Sequence, residues 1–103
     1  MRLLYSPEAR EDLREMTQYI TEEFYDKAAA SRARADILRS CSLLKAQPYI
    51  GFSLESKTGC KTDVRCLVCG VRLIFYKVAE AIHIIRILDS RTDYLQALWK
   101  HSR

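Results

Sequence analysis

The chain has 103 residues, 49% of them hydrophobic, with only 3 Gly and 2 Pro and no internal repeat, which reads as one folded domain spanning 1–103 and excludes a disordered or solenoid protein. A net charge of +4 and a pI near 9.0 are compatible with a solvated basic surface and equally with an acidic partner, such as nucleic acid or an acidic protein segment. The N-terminal apolar stretch is too short for a signal peptide and no run approaches the roughly 18 apolar residues of a membrane span, so a cytoplasmic protein without membrane contact is expected.

The segment "LLYSPEAREDLREMTQYITEEF" begins extended and turns helical, with Ser6 as N-cap, Pro7 at the first helical position and Glu8 in the first turn. Leu13, Met16, Ile20 and Phe24 recur at helical spacing and are expected to form its buried stripe. Asp26 caps a second helix, "KAAASRARADILRSCSLLKAQ", whose Ala30, Ala33, Ile37, Cys41 and Leu44 share one face before Pro48 ends it. Two such helices on so short a link predict an antiparallel hairpin. From Tyr49 to Asp63 the periodicity fails, and this stretch reads as a loop with room for a short extended piece.

Three strands follow, "DVRCLV", "VRLIFYKV" and "IHIIRILD", with turns expected at Cys69-Gly70 and at Ala79-Glu80-Ala81. "TDYLQALWK" closes the chain as a short helix with Leu95, Leu98 and Trp99 on its apolar side. The fold class is therefore α+β: a short N-terminal strand, an antiparallel helix hairpin on one face of an antiparallel three- to four-stranded sheet, and a short C-terminal helix. "CLVCG" carries the spacing of half a zinc site, yet no second C-x-x-C exists, and Cys60 or Cys41 with His83 or His101 would have to complete it. One core cysteine and one turn cysteine are expected instead, with no metal, no cofactor and no disulfide framework.

Side chains alternate along a strand, so these turn lengths assign faces. Val64, Cys66, Val68, Val71, Leu73, Phe75, Ile85 and Ile87 fall on an apolar face, expected to lie under the helix pair. Arg65, Arg72, Tyr76, Ile84, Arg86 and Leu88 fall on the other, where unpaired guanidinium groups would cost too much to bury. Those arginines are expected to be solvated, paired with acids such as Asp63 or Asp89, or available to an anion; a one-residue slip in the second turn would move Arg86 to the core face.

The order of these elements, with "SPEAREDLREMTQYI", "QPYIG", "GVRLIFYKV" and "IHIIRILDSRTDYLQAL", resembles the RelE/ParE superfamily of toxins from type II toxin–antitoxin modules over about Leu3 to Leu98. That resemblance implies one of two activities. The RelE-like branch cuts messenger RNA in the ribosomal A site without a metal, whereas the ParE-like branch, which includes plasmid-stabilisation proteins, has the same fold, lacks the nuclease set and poisons DNA gyrase. Arg72 falls where RelE-like toxins carry a catalytic arginine, Arg65 near a basic residue of the preceding strand, and Arg91 resembles the arginine that closes the last strand in both branches. The departures point to the ParE-like branch. Asp63 stands where a second lysine is usual, and Ala97 occupies the place of the nuclease tyrosine, leaving Tyr94 as substitute with His83 or His101 as further proton carriers.

The resemblance thus implies a non-enzymatic gyrase inhibitor whose target contacts are Arg72, Arg86, Arg91, Asp93, Tyr94 and Trp99. It also implies a cognate antitoxin, assigned to Arg65, Tyr76, Leu13 and Ile37, and no small-molecule substrate. Two alternatives stand beside it: a ribosome-dependent ribonuclease using Arg65, Arg72, Arg91 and Tyr94, and an inactive partner-binding module of the same fold.

Overall fold

A computed structural model describes residues 1–100, so His101 lies outside the described residues. The elements run β1 (Arg2–Tyr5), α1 (Pro7–Phe24), α2 (Lys27–Leu43), β2 (Phe52–Ser53), α3 (Leu54–Thr58), β3 (Arg65–Cys69), β4 (Arg72–Val78), β5 (Ala81–Asp89) and α4 (Tyr94–Lys100). Both expected caps are present: Ser6 Oγ accepts from Ala9 N at 3.0 Å and Asp26 Oδ1 from Ala29 N at 2.9 Å, each satisfying an amide that the helix leaves free. Only Tyr25 and Asp26 separate the helices, and Tyr25 takes the left-handed conformation (φ 50°) that reverses the chain.

The sheet has five strands in the order β1-β5-β4-β3-β2, with β1 parallel to β5 and every other pair antiparallel. The extra strand is the two-residue β2, the short extended piece in the loop after Pro48, and α3 follows it directly. α3 has no apolar period to announce it; Ser53 caps it through Ser56 N, and Leu54 anchors it in the core.

The first hairpin turns at Gly70-Val71 rather than Cys69-Gly70, pairing Cys69 with Arg72 and Cys66 with Phe75. Gly70 supplies the positive φ (60°). This shift of two in register preserves every face assignment within the hairpin. The second turn has the expected length, since Val78 pairs with Ile82 across Ala79-Glu80-Ala81. A β-bulge then intervenes: Tyr76 pairs with Ile84 but Phe75 with Arg86, leaving Ile85 extra. Past the bulge every side chain of β5 changes face, so Ile87 joins Ile74 and Tyr76, and Arg86 and Leu88 join Phe75 and Leu73.

The helix hairpin covers the face that Ile87 joins. Ile74, Tyr76, Ile82, Ile84 and Ile87 pack against Ala9, Leu13, Met16, Ile37, Cys41 and Leu44, so the helices lie on the face expected to carry open arginines. Tyr76 is fully buried because its hydroxyl is satisfied, donating to Pro48 O at 2.8 Å and accepting from Gly51 N at 3.1 Å. The opposite face is closed as well: Leu54 and Leu98, with Tyr94, Leu95 and Trp99, cover Val64, Cys66, Leu73 and Phe75. Each sheet face is therefore core, and among the described residues neither face presents an open row of arginines. Phe24, placed in the buried stripe by spacing, is 65% exposed at the tip of the hairpin.

Cys66 and Cys69 sit three apart on one continuous strand and point to opposite faces, so they cannot grip one ion. Burial pushes the Cys66 thiol up to about 12 and the Cys41 thiol up to about 11.

Candidate functional site

The turn after β5 is built around one carboxylate. Asp89 Oδ1 accepts from Arg91 N at 2.8 Å and Arg91 Nε at 2.9 Å, while Oδ2 accepts from Arg91 Nη2 at 2.6 Å. The Asp89 carbonyl accepts from Thr92 Oγ1 at 2.7 Å, and Ser90 N donates to Val71 O at 2.8 Å, tying this turn to the β3–β4 turn. Arg72, opposite Asp89 in the ladder, brings a second guanidinium to 3.9 Å. The bidentate bonds from Arg91 hold the Asp89 carboxyl well below the usual carboxylate range, with the backbone bond and the Arg72 charge acting in the same direction against the opposing effect of burial. One carboxylate thus orients two arginines, and Arg91 remains 67% exposed.

These arginines rim a trough. Met16, Tyr19, Ile20 and Phe24 of α1, Ala33 and Ile37 of α2, and Cys69 and Val71 near the β3–β4 turn line a groove of about 370 Å³, with Arg72, Arg91 and Asp36 at its polar edge. A neighbouring cavity of about 420 Å³ shares Met16, Tyr19, Arg72 and Arg91 and continues between α1 and the end of β5. Tyr19 (53% exposed), Phe24 and Val71 (45% exposed) leave apolar surface uncovered there, and Tyr19 meets Phe24 edge-on with ring centroids 6.3 Å apart. An apolar groove with two held guanidinium groups on its rim is suited to an amphipathic segment bearing a carboxylate, or to a protein surface of that character.

Arg86 has a different task. Its Nε and Nη2 donate to Asp12 at 2.8 and 2.9 Å, and Asp12 Oδ2 also accepts from Ile87 N at 2.9 Å. β1 pairs with β5 only as far as Ile84, so Asp12 takes over the strand-edge amide beyond it. Arg86 Nη1 donates to Ala97 O at 3.4 Å, and one side chain thereby joins α1, β5 and α4. The bonds to Asp12 raise the Arg86 pKa. The guanidinium is spent on the fold, and Asp12 is its unforeseen partner.

The four residues of the ribonuclease alternative do not gather. Arg65 donates to Tyr49 O (3.2 Å) and Gly51 O (2.6 Å), lies over the Tyr49 ring, and pairs in the ladder with Tyr76, about 13 Å along β4 from Arg72. Tyr94 stacks on Phe75 at 5.9 Å, on the face opposite Arg72. His83 pairs with Glu80 at 3.7 Å near the start of β5, remote from Arg91 at its end, and Asp63 is 3.6 Å from Lys77. Of the six target-contact candidates, Arg72 and Arg91 line both cavities, and Arg86 borders only the second, with its guanidinium held by Asp12. Asp93 Oδ1 accepts from Gln96 N at 3.4 Å in the first turn of α4, and Trp99 packs half-buried beneath the sheet. Leu13, Ile37 and Tyr76, assigned above to an antitoxin, are buried core residues; Ile37 still floors the trough.

Among the described residues the chain forms a three-layer α+β fold with a trough between the helix hairpin and the end of the β4–β5 ladder. The fold is similar to a solved structure of the "Chromosomal ParDE TA system from P. aeruginosa", with a TM-score of 0.73 at 22% identity, covering 86% of this chain and 95% of that one. Among curated proteins none matches. The sequence profile of the ParE toxin of the type II toxin–antitoxin system, parDE, matches residues 3–94. The chain belongs to the ParE toxin family, whose members work with an antitoxin partner.

Proposed function

We propose that this chain is the toxin of a type II toxin–antitoxin module that inhibits DNA gyrase by binding, and that its cognate antitoxin neutralises it by occupying the trough between the helix hairpin and the β4–β5 end. The observation that carries the binding mode is the dispersal of Arg65, Arg72 and Tyr94: one is committed to a loop, one to the trough rim, one to the opposite sheet face. Cleavage of RNA needs a proton acceptor and donor held around one phosphate, and guanidinium, with a pKa above about 12, serves neither role at neutral pH. Inhibition by binding asks only for a shaped surface, and needs no cofactor. Arg72 and Arg91 are the proposed target and antitoxin contacts, so the two partners compete for one surface. A gyrase target also places the protein in the cytoplasm.

Inducible expression in a bacterial host tests this reading, with growth, the DNA-damage response and integrity of a reporter message followed together. Filamentation with a damage response and intact message is the expected result. Translation arrest with cuts positioned at ribosomal codons would overturn it, and normal growth with soluble protein would leave only the inactive binding module.

A further inference from the structure

The trough accounts for only part of the positive charge. Helix α1 sets most of its acids on one flank, where Glu8, Glu11, Asp12 and Glu15 share a recess with Arg86, whereas Arg10 and Arg14 line a groove toward α2, with Glu11 reaching Arg14 between the two flanks. Arg34 meets them from α2, and with Leu13 and Thr17 these residues line a groove of about 270 Å³ between the two helices. Arg14 is paired with Glu11, but among the described residues no carboxylate lies within ion-pair distance of Arg10 or Arg34. The charge continues along the hairpin. Lys27 stands seven residues, two helical turns, from Arg34 on the same flank, and at the other end the N-terminal ammonium donates to Lys45 O at 3.0 Å.

Arg10 and Arg34 carry their charge here without a carboxylate partner, Arg14 beside them has only the exposed Glu11, and the forked donors of all three match phosphate oxygens. The lining narrows the choice of partner. Leu13 is buried and no aromatic residue lines the groove, so it offers neither an apolar anchor for an amphipathic peptide nor a stacking platform for unpaired bases. What remains is a regularly spaced row of phosphates on a double-stranded backbone, contacted without reading bases. We propose that the Arg10–Arg14–Arg34 groove is a second interaction surface, binding the phosphate backbone of duplex nucleic acid, on a flank of the hairpin separate from the trough.

The test is fluorescence anisotropy of the full chain with a short labelled DNA duplex of arbitrary sequence. With three phosphates neutralised, affinity should fall about 40-fold between 50 and 200 mM salt, and in an Arg10→Gln/Arg34→Gln variant only about fourfold. A Lys57→Gln/Lys61→Gln variant removes the same net charge elsewhere and should keep the wild-type salt dependence. Arg10 and Arg34 are exposed, so the melting temperature should be unchanged, which separates lost binding from lost fold. Equal binding by both double variants would overturn the proposal, as would tighter binding of a single strand or of an acidic peptide. Neither result would bear on gyrase, because the groove and the trough share no residue.

Discussion

Two arginine–aspartate pairs lie at the same end of this molecule and do opposite things. Arg86 and Asp12 are 14% and 9% exposed, 74 residues apart in sequence, and close α1 onto β5 and α4. Arg91 and Asp89 are two residues apart, and the arginine is 67% exposed. The first pair spends its charge inside the fold, where a bidentate bond and a strand-edge amide give both carboxylate oxygens a partner. The second keeps a guanidinium at the surface in a fixed orientation, which is the condition for recognising a partner at low entropic cost. The arginines at this end of the chain therefore divide into one that builds the fold and one that faces outward.

The sharpest way to break this comparison is to remove the buried carboxylate. Asp12→Ala leaves the Arg86 charge and the Ile87 amide without their partner, and should cost about 3–5 kcal/mol in thermal or denaturant unfolding. Removing a hydroxyl beneath the same core tests how polar groups are tolerated there: Tyr76→Phe strands Pro48 O and Gly51 N, for an expected loss of about 1–3 kcal/mol. Gly51→Ala should fall in the same range of about 1–3 kcal/mol, since an added Cβ would come within 2.5 Å of the Cys66 carbonyl oxygen. Arg91→Ala, at an exposed pair, should leave the melting temperature essentially unchanged while abolishing toxicity in an expression assay.

The surface pair also confers a response to acid. The Asp89 pKa is lower in the folded protein than in the unfolded chain, so its contribution to stability is present above the unfolded value of about 3.9 and is lost as pH falls from there through the folded value. Asp89→Asn should flatten this acid limb in pH-dependent melting curves, and an unchanged limb would assign it to other carboxylates. The smallest effect is chemical. Cys60, exposed, should alkylate in the native protein, whereas Cys41 and Cys66, buried with raised pKa values, should react only on unfolding.

Much of this architecture is legible in the sequence. Helix starts were written in Ser6, Pro7 and Asp26, and strand identity in β-branched runs, because these signals are local. What was lost depended on one inserted residue. The bulge at Ile85 leaves no mark in composition, yet it reverses the faces of Arg86 and Ile87 and takes Arg86 off the face expected to display it. Asp12 was illegible for a related reason, since its partner is remote in sequence and an acid on an amphipathic helix ordinarily faces water. The trough was half legible: Arg72 and Arg91 were named, while Tyr19, Phe24 and Val71 needed the packing geometry to appear as uncovered apolar surface.

The most direct test of the central claim is a DNA cleavage assay with purified gyrase, comparing the wild-type chain with Arg72→Ala and Arg91→Ala at equal, verified folding. The account predicts that wild type accumulates cleaved DNA and that each variant does so at least tenfold less. Undiminished cleavage by both variants would contradict the assignment of the trough rim, and a wild-type chain without effect on gyrase would contradict the target itself.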